Sequence, residues 1–453
     1  MIRQFFYCVL PVIVAAWTRN GFEKEHMQKR PPLLNDSFVE AIVNHSGTLA
    51  IRASLMRFSV DPNSRNFHQQ YFLYRHSYAP DKPLLFLYVG GSSPMSPLEI
   101  PVNLMRLAAA FKAAVAYLEH RYFGGSFPTE DVSAKTLKDL LTIPQAVEDI
   151  RTFGEYLKRY LNSPTLQIVL FGDSYGGALA AWAREKYQSL FIGVVSSSSA
   201  LDAKLENDMY ATIEAEDLSN KQLGGSPKCL KTITKAHEDF ADLLKSTDGR
   251  RKLEDKFKVC RNVLDNRMNQ LAFTRDGQLL GISIQDNNPK CRKDYCDISR
   301  VCRRLAETKE CDRLKDPYFT GEERMSRFIF CRGFGQRQPC TDENNCPWLR
   351  TEERLELNVR ICGAFGISEE QAKEYVDQVQ TEYGGKTLKG ATNIFSINGE
   401  ADPWRSVSIT EPAEGIDVYT VPMASHCYWD KNFVKDVCDK TQTIIAKWLL
   451  AAW

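Results

Sequence analysis

The sequence has almost no net charge and no long apolar run. Its 453 residues carry 58 Lys and Arg against 57 Asp and Glu, so neither nucleic acid nor an acidic membrane surface is expected as a partner. No uncharged apolar run reaches about 18 residues, which excludes a protein with several membrane-spanning helices. With 43% hydrophobic residues, the chain can form a sizeable core. Its length fits one large α/β domain with an insertion, or two to three smaller domains.

The amino terminus has the pattern of an export signal. Arg3 supplies a positive start, and residues 5–16 form a 12-residue uncharged, mostly apolar run that ends in small residues suited to cleavage after Ala16. Such a run is too short to cross a bilayer as a helix, and the alternative is an internal buried helix. We therefore predict a signal peptide over residues 1–16 and a secreted or lysosomal/endosomal lumenal protein, with no membrane association after its removal.

Cysteine is abundant beyond that signal. Cys8 lies within it, and the other 12 of the 13 cysteines can form up to six disulfides in an oxidising compartment. Three of them lie between residues 291 and 302, so a zinc site is the alternative. Because no Cys-x-x-Cys pair is present, we expect no metal and no cofactor. The sequons at Asn35 and Asn44 are candidate glycosylation sites once the chain is lumenal.

The chain divides into three parts after the signal. Over residues 17–200, short apolar runs that stop at glycine alternate with helical patterns, which predicts a mostly parallel sheet with helices on both faces. Residues 201–388 are richer in charge and hold 10 of the 12 remaining cysteines, so we predict a disulfide-rich, mainly helical cap insertion. Over residues 389–453 the α/β pattern returns and is expected to complete the sheet. The predicted strands are 84–89, 113–118, 167–171, 192–195, 393–397 and 418–421, and the predicted helices are 142–161, 178–187, 229–244, 252–268 and 433–450.

The strongest chemical signal is Gly172-Asp173-Ser174-Tyr175-Gly176-Gly177, which lies between a predicted strand and a predicted helix. It matches the Gly-x-Ser-x-Gly nucleophile elbow, in which glycines allow close packing around a strained turn and the hydroxyl points out at the head of a helix. The amides and dipole at that helix start favour an oxyanion. Ser174 is therefore the predicted nucleophile, although an ordinary glycine-rich turn can share the five-residue pattern.

A serine nucleophile needs a base, which follows it in the chain order Ser, Asp or Glu, His. Only His237 and His426 lie after Ser174. His237 stands in a polar helical stretch that predicts a solvated face, whereas His426 follows a predicted strand. His426 is therefore the predicted base.

Asp402 is the predicted orienting carboxylate. It follows the strand that ends at residue 397, so Asp402 and His426 both emerge at the carboxyl edge of the sheet, where open α/β sheets place their sites. The alternative is that Asp402 only starts an Asp-Pro turn. Glu400 is then the nearest substitute.

An oxyanion hole is expected beside the elbow. It would combine the backbone amide of Tyr175 with an amide of Gly91 or Ser92, which lie in a loop after an early strand. That loop can also be read as a plain β-turn. Ser92, Asp173 and Trp404 are candidate substrate contacts, and a surface or cap contact is the alternative role for Asp173.

Several motifs resemble one known family. The elbow, Glu119-His120-Arg121-Tyr122-Phe123-Gly124 and Asn398-Gly399-x-x-Asp402-Pro403-Trp404 resemble the lysosomal Pro-Xaa carboxypeptidase and dipeptidyl-peptidase II family of serine exopeptidases. Ser425-His426-Cys427 and Tyr383-Gly384-Gly385 most resemble its thymus-specific serine protease-like branch. The resemblance runs from about residue 55 to the end of the chain.

This resemblance implies an α/β-hydrolase fold with a helical cap. It also implies cleavage of short peptides from one end, often beside proline, and Ser174, Asp402 and His426 as the catalytic triad. Peptides are then the expected partners, and we also consider a homodimer.

Two departures from the family pattern concern specificity. Relatives usually carry Gly-Gly-Glu-Gly where this chain has Gly90-Gly91-Ser92-Ser93, and Cys-x-Glu-Phe-Gly where it has Cys331-Arg332-Gly333-Phe334-Gly335. Each change removes a carboxylate of the kind that can anchor a free amine. Aminodipeptidase action is therefore less favoured, and proline preference stays open.

Three rival functions are considered. The first is a serine carboxypeptidase of the other lysosomal type, against which the Glu119–Phe123 block and the Ser-His-Cys context argue. The second is a lipase or esterase with the same triad. The third is a protein that binds peptides without turnover.

Overall fold

The computed structural model describes most of the chain. It covers residues 67–95, 100–257, 259–267, 269–270, 284–288, 297–307, 321–340, 346–348 and 359–452, with the backbone alone at 38–41, 51–60, 304–307, 321–323, 431 and 452. The predicted signal peptide and the predicted glycosylation sites Asn35 and Asn44 lie outside these residues. Within them, no helix combines the length and the apolar character needed to cross a membrane.

Strands form one sheet of nine and one of two. In chain order they are β1 (Phe38–Ala41), β2 (Ile51–Val60), β3 (Phe67–Tyr74), β4 (Leu84–Val89), β5 (Ala114–Leu118), β6 (Gln167–Asp173), β7 (Gly193–Ser197), β8 (Lys204–Glu206), β9 (Gly335–Arg337), β10 (Ile394–Gly399) and β11 (Ile416–Val421). The large sheet has the order β1-β2-β3-β5-β4-β6-β7-β10-β11. Its first three pairs are antiparallel, and the other five are parallel. The predicted, mostly parallel sheet is confirmed.

Helices lie between and after these strands. They are α1 (Val102–Phe111), α2 (Ala134–Leu140), α3 (Ile143–Tyr160), α4 (Ser174–Lys186), α5 (Asp208–Ser219), α6 (Pro227–Leu244), α7 (Thr247–Phe257), α8 (Ile298–Glu307), α9 (Gly321–Ile329), α10 (Glu369–Tyr383), α11 (Tyr428–Lys431) and α12 (Lys435–Ala452). Shorter 3₁₀ or π turns cover Lys221–Leu223, Val263–Asp265, Phe330–Phe334, Gly385–Gly390 and Pro403–Val407.

Two apolar clusters enclose the large sheet. In β4, Leu85 and Leu87 belong to the cluster that includes the buried faces of α3 and α4. Phe86 and Tyr88 belong to the opposite cluster, with α1 and α12. Side chains alternate between the faces of a strand, so an unbroken apolar run such as β4 is stable only when helices cover both faces.

The last part of the chain completes the same sheet as the first. β10 pairs in parallel with β7, from Ile394 opposite Val194 to Ile397 opposite Ser197, and β11 pairs with β10. Between β7 and β10, the described residues are mainly helical. The bounds of the insertion, 201 and 388, stay a prediction.

Disulfides join parts of this insertion. The structure forms Cys229–Cys302, Cys331–Cys362 and Cys340–Cys346. Cys427 and Cys438 are both free thiols, so the described residues form fewer than the maximum of six disulfides. Together with the sheet order, these bridges confirm an α/β-hydrolase fold with a disulfide-rich, mainly helical cap.

One predicted cap helix is wrong in its extent. The prediction covered residues 252–268, but α7 ends at Phe257 and Asn262 has a left-handed φ of 66°. The Glu254 carboxylate accepts hydrogen bonds from the amides of Asn262 and Leu264 at 3.0 and 2.9 Å. A side-chain acceptor therefore satisfies amides that a continuing helix would have bonded to its own carbonyls.

Candidate active site

Ser174 lies at the sharp turn between β6 and α4. Its φ of 51° is in the left-handed region, which a residue with a side chain adopts at an energetic cost. A Cβ at Gly172 would come within 2.6 Å of the Gly176 carbonyl oxygen, and a Cβ at Gly176 within 2.5 Å of the Val89 oxygen. Both glycines are therefore required by close backbone approach, as the elbow pattern predicts.

Asp402 and His426 form a buried pair at the carboxyl edge of the sheet. Nδ1 of His426 lies 3.0 Å from each carboxylate oxygen of Asp402, whose side chain is fully buried. Oδ1 of Asp402 also accepts the amide of Trp404 at 2.9 Å, because Asp402 caps the 3₁₀ turn that follows it. Asp402 therefore both starts the expected turn and contacts His426.

Glu400 does not take the place of Asp402. Its Oε2 accepts the amide of Met423 at 2.8 Å, and the residue is exposed. Glu400 thus braces a neighbouring turn.

The loop that carries His426 lies beside the elbow. Cys427 Sγ and a carboxylate oxygen of Asp173 lie within 4.8 Å of each other. The Cys427 amide donates to Ser198 Oγ at 3.1 Å, just beyond β7, and β7 pairs with β6 next to the elbow. The residue before Ser174 and the residue after His426 are therefore neighbours, and the three predicted triad residues share one edge of the sheet.

A cap segment braces the histidine loop, a contact that the sequence did not indicate. The His426 amide donates to the Gln285 carbonyl at 2.9 Å, and Ser425 Oγ donates to the Asn287 carbonyl at 2.7 Å. The Gln285 side chain accepts hydrogen bonds from Tyr210 at 2.8 Å and from Trp404 at 2.9 Å. Residues 284–288 match no sequence motif, because they contact the site through two backbone carbonyls and the side chain of Gln285.

The charges around His426 favour its protonated form. Burial of the ring opposes protonation. The charge and hydrogen bonding of Asp402 outweigh burial, with the charges of Asp173 and Asp286 adding to them, so the pKa of His426 is raised above its ordinary value. The Asp402 contact also holds Nδ1, which leaves Nε2 as the free ring nitrogen.

The predicted oxyanion loop packs against the elbow. A Cβ on Gly91 would lie 3.2 Å from the Gly176 nitrogen, so the two backbones are in contact. The Gly90 amide donates to the Leu118 carbonyl at 2.9 Å. From the cap, Ser326 Oγ donates to the Ser92 carbonyl at 3.3 Å. The loop is thus held between the sheet and the cap.

Tyr175 is enclosed by aromatic rings. Its ring centroid lies 5.0 Å from that of Phe334 in an edge-to-face contact. Its hydroxyl lies 3.4 Å from His120 Nε2, while His120 Nδ1 lies 2.7 Å from the Arg121 carbonyl and therefore carries the ring proton. Burial lowers the pKa of His120 to about 4, so this histidine stays neutral in mild acid.

The remaining predicted contacts lie in different places. Asp173 accepts a hydrogen bond from the buried Tyr88 hydroxyl, behind the nucleophile. Trp404 lies beside the base, with its ring centroid 6.1 Å from that of His426.

His237 is only 2% exposed and packs against Trp348, so the predicted solvated face is wrong there. The cap buries that face of α6, which the polar sequence did not indicate.

The second family departure lies close to Tyr175. Gly333 has a φ of 137°, and a Cβ there would point toward Val379 of α10 at 2.9 Å. Arg332 lies over the ring of Tyr375 at 3.8 Å from its centroid. In place of the family carboxylate this chain therefore has Gly333, which lies between Arg332 and Phe334 in the sequence.

Comparisons with known proteins show which family this chain belongs to. Residues 57–318 and 293–436 match the family model described as serine carboxypeptidase S28. The thymus-specific serine protease of Mus musculus is 27% identical over 410 residues, covering 80% of this chain and 79% of that protein. The lysosomal Pro-X carboxypeptidase of Bos taurus is 23% identical over 406 residues, covering 82% and 79%. Among solved structures, the proline iminopeptidase of Mycobacterium smegmatis aligns at 13% identity with a TM-score of 0.43, over 88% of this chain and 100% of that one.

Proposed function

Because the chain belongs to the serine carboxypeptidase S28 family and is a serine-type peptidase, we propose that it is an exopeptidase for short peptides that uses Ser174, Asp402 and His426 as its catalytic triad. The observation that carries this proposal is the bidentate contact of His426 Nδ1 with Asp402 at 3.0 Å, beside the strained Ser174 turn. A paired and oriented imidazole at a nucleophile elbow is the arrangement that acyl transfer requires.

In the acylation step, Ser174 Oγ attacks the peptide carbonyl carbon and His426 Nε2 takes the hydroxyl proton. Asp402 holds the proton on Nδ1 and stabilises the imidazolium that forms. The amides of Tyr175 and of Gly91 or Ser92 bind the oxyanion of the tetrahedral intermediate. His426 then donates its Nε2 proton to the departing amine as the C–N bond breaks, which leaves an ester on Ser174.

In the second step, water hydrolyses that ester. His426 Nε2 removes a proton from the water as its oxygen attacks the carbonyl carbon. The C–O bond to Ser174 breaks, and the proton returns to Ser174 Oγ. The peptide acid leaves, and the enzyme regains its starting protonation state.

We favour action at the carboxyl end of the substrate. The two carboxylates that would suit a substrate amine are replaced by Ser92 and Gly333. The names of the family and of the bovine relative point in the same direction. Cleavage beside proline is proposed from that relative's name, with Trp404 as the candidate side chain for an apolar substrate group near the base.

We also propose a secreted or lysosomal/endosomal lumenal location. The disulfides of the cap suit an oxidising compartment, because cytosolic thiols are kept reduced. The relative named as a lysosomal carboxypeptidase supports the same location. A homodimer remains part of this proposal.

The deciding experiment is the digestion of a defined peptide library followed by mass spectrometry. Each peptide is supplied with both ends free, with an acetylated amino end, or with an amidated carboxyl end. Carboxypeptidase action predicts cleavage of the acetylated set and none of the amidated set, and dipeptidyl-peptidase action predicts the reverse. Cleavage of long acyl esters but of no peptide would instead support an esterase.

Ser174→Ala is the matched control for this digestion. It should reduce turnover by roughly a thousandfold or more, because the nucleophile is lost while the fold is kept. A fluorophosphonate should label the wild-type protein at Ser174. Peptide binding without labelling or turnover would support the non-catalytic alternative.

A further inference from the structure

The loop segment 90–95, which follows β4, is fastened at its first and last residues by Leu118 and Glu119, at the end of β5. At its start, the Gly90 amide donates to the backbone carbonyl of Leu118 at 2.9 Å. At its far end, the Met95 amide donates to the side chain of Glu119, at Oε1, over 2.9 Å. Gly91, the expected oxyanion donor, lies between these two points.

The rest of the Glu119 carboxylate is also bonded. Its Oε2 accepts the Gly125 amide at 3.0 Å and the Ser126 hydroxyl at 2.6 Å. Ser126 Oγ in turn accepts the Gln70 amide of β3 at 2.9 Å. One carboxylate therefore connects the loop after β4 with a turn after β5 and with an edge of β3.

The surrounding chain is shaped around this carboxylate. A Cβ on Gly124, whose φ is 53°, would lie 1.9 Å from Glu119 Oε1, and a Cβ on Gly125 would lie 1.9 Å from the Gln70 side chain. These are overlaps that a larger residue could not relieve without displacing the carboxylate or its neighbour. The glycines of the Glu-His-Arg-Tyr-Phe-Gly block thus make room for Glu119.

The Glu119 carboxyl group is buried, which makes its ionised form energetically costly. It is 2% exposed, and the two segments that bond to its carboxylate, 90–95 and 124–126, contain no charged residue. Burial raises the pKa of Glu119 to about 7, although hydrogen bonds from Ser126, Met95 and Gly125 favour the ionised form. A buried carboxylate without a cationic partner in those segments is retained at a cost in stability, which points to a functional use.

The loop itself has little to hold it in one conformation. Its sequence, Gly-Gly-Ser-Ser-Pro-Met, begins with two glycines and two serines, and only Pro94 restricts the backbone through its side chain. Glycine broadens the accessible backbone conformations, and short polar side chains bury little apolar surface. The conformation of the loop therefore depends on the bonds at its ends and on the cap contact at Ser92.

We propose that Glu119 is a positioning residue for the oxyanion hole: by binding the Met95 amide, it fixes the far end of the loop and so keeps the Gly91 or Ser92 amide aimed at the same point as the Tyr175 amide. This inference rests on the proposed acyl-transfer function. It assigns no contact between Glu119 and the substrate.

The test compares purified full-length variants on the best peptide substrate. Glu119→Gln places an amide group against the Met95 or the Gly125 N–H, so one hydrogen bond becomes a donor–donor contact. Met95→Pro removes the amide hydrogen that Glu119 binds and also restricts the backbone at this position, and Met95→Leu, which keeps the N–H, controls for the loss of the Met95 side chain from the core. We expect kcat to fall roughly tenfold to a hundredfold in Glu119→Gln and Met95→Pro, because displaced oxyanion donors lose transition-state stabilisation. KM should stay within about threefold, since ground-state binding does not use those donors.

Each outcome has one reading. A wild-type protein that neither cleaves peptides nor reacts with a fluorophosphonate would overturn the proposed function itself. An active wild type with folded Glu119→Gln or Met95→Pro variants of unchanged kcat would overturn only the role of Glu119. If Glu119→Gln does not fold, the comparison of Met95→Pro with Met95→Leu decides. If both Glu119→Gln and Met95→Pro fail to fold, Glu119 is a structural residue and the inference is wrong.

Discussion

Ser425 donates a hydrogen bond of 2.7 Å to the carbonyl of Asn287, a residue 138 positions earlier in the chain. Ser425 precedes His426, and Asn287 belongs to the cap segment 284–288. The amide of His426 bonds to the same segment at Gln285. The cap is thus a support for the loop that carries the proposed base.

Removing that support should both slow catalysis and weaken the fold. Ser425→Ala leaves the buried Asn287 carbonyl without this donor, and we expect a loss of about 1–3 kcal/mol in the free energy of unfolding. The looser histidine loop should lower kcat by about tenfold. Steady-state kinetics and thermal unfolding test this, with Ser219→Ala as the control, because half-buried Ser219 donates a similar bond of 2.9 Å to the Glu216 carbonyl. An unchanged kcat in folded Ser425→Ala would show that the loop is held without the cap.

Replacing Asp402 should abolish most of the turnover without unfolding the protein. In Asp402→Asn, the side-chain amide faces His426 Nδ1, so the imidazole loses the acceptor that sets its tautomer. We expect kcat to fall by roughly 10⁴-fold. Glu400→Gln is the control and should stay within about twofold of wild type, because Glu400 is exposed and bonds to Met423. If Glu400→Gln were the more damaging change, Glu400 would replace Asp402 in the proposed mechanism.

Removing the charge of Asp173 should extend activity to lower pH. The proposed base must be neutral to act, so kcat/KM falls as pH drops through the pKa of His426. Asp173 is one of the charges that raise this pKa. In Asp173→Asn, the protonated imidazole is less stabilised, and the acid limb of the pH profile should move downward. The carboxamide oxygen can still accept the Tyr88 hydroxyl, so the geometry is kept.

Asp439→Asn, on the exposed part of α12, controls for a general change in protein charge. It should leave the acid limb in place. An acid limb that moves upward in Asp173→Asn, or equally in both variants, would show that Asp173 does not act on His426.

A methyl group at Gly176 should damage the elbow although the residue lies in a helix. Helix propensity alone predicts that Ala stabilises such a position by about 1 kcal/mol. The structure predicts the opposite, because the new Cβ would meet the Val89 oxygen at 2.5 Å and the Gly91 nitrogen at 3.1 Å. We expect Gly176→Ala to lose about 1–3 kcal/mol of stability and at least about tenfold in kcat, since the oxyanion loop must move.

Gly363→Ala is the matched control for that change, because no residue that the structure describes lies within 4 Å of its added methyl group. Its stability and kcat should remain close to wild type. Equal effects of the two substitutions on kcat would mean that the contact between Gly176 and the oxyanion loop has no role in catalysis.

The strands and the chain order of the site could be predicted because they depend on local pattern. The apolar run 84–89 became β4 without change, and the runs at 167–171 and 393–397 became the cores of β6 and β10. Parallel strands bring their carboxyl ends to one edge, so Ser174, Asp402 and His426 were expected to meet there. Their roles as a triad stay a prediction until the variants are measured.

The contacts that brace the site could not be predicted. The Ser425–Asn287 hydrogen bond joins the sheet domain to a cap segment that matches no motif. The Glu119 carboxylate, after β5, accepts the amide of Met95, in the loop after β4. Cys427 and Cys438 are free, and the even number of cysteines did not show this. Such contacts depend on which segments pack against each other in the folded protein, and a single sequence does not show which segments these are.

The alternating strands and helices, the strained serine turn and the order in which the polar residues leave the sheet follow from periodicity and glycine placement over a few neighbouring positions. Which groups hold those residues in place depends on how distant segments pack. The reason is physical: a hydrogen bond from Glu119 or Ser425 depends on distances of about 3 Å between segments far apart in the chain, and folding alone sets those distances.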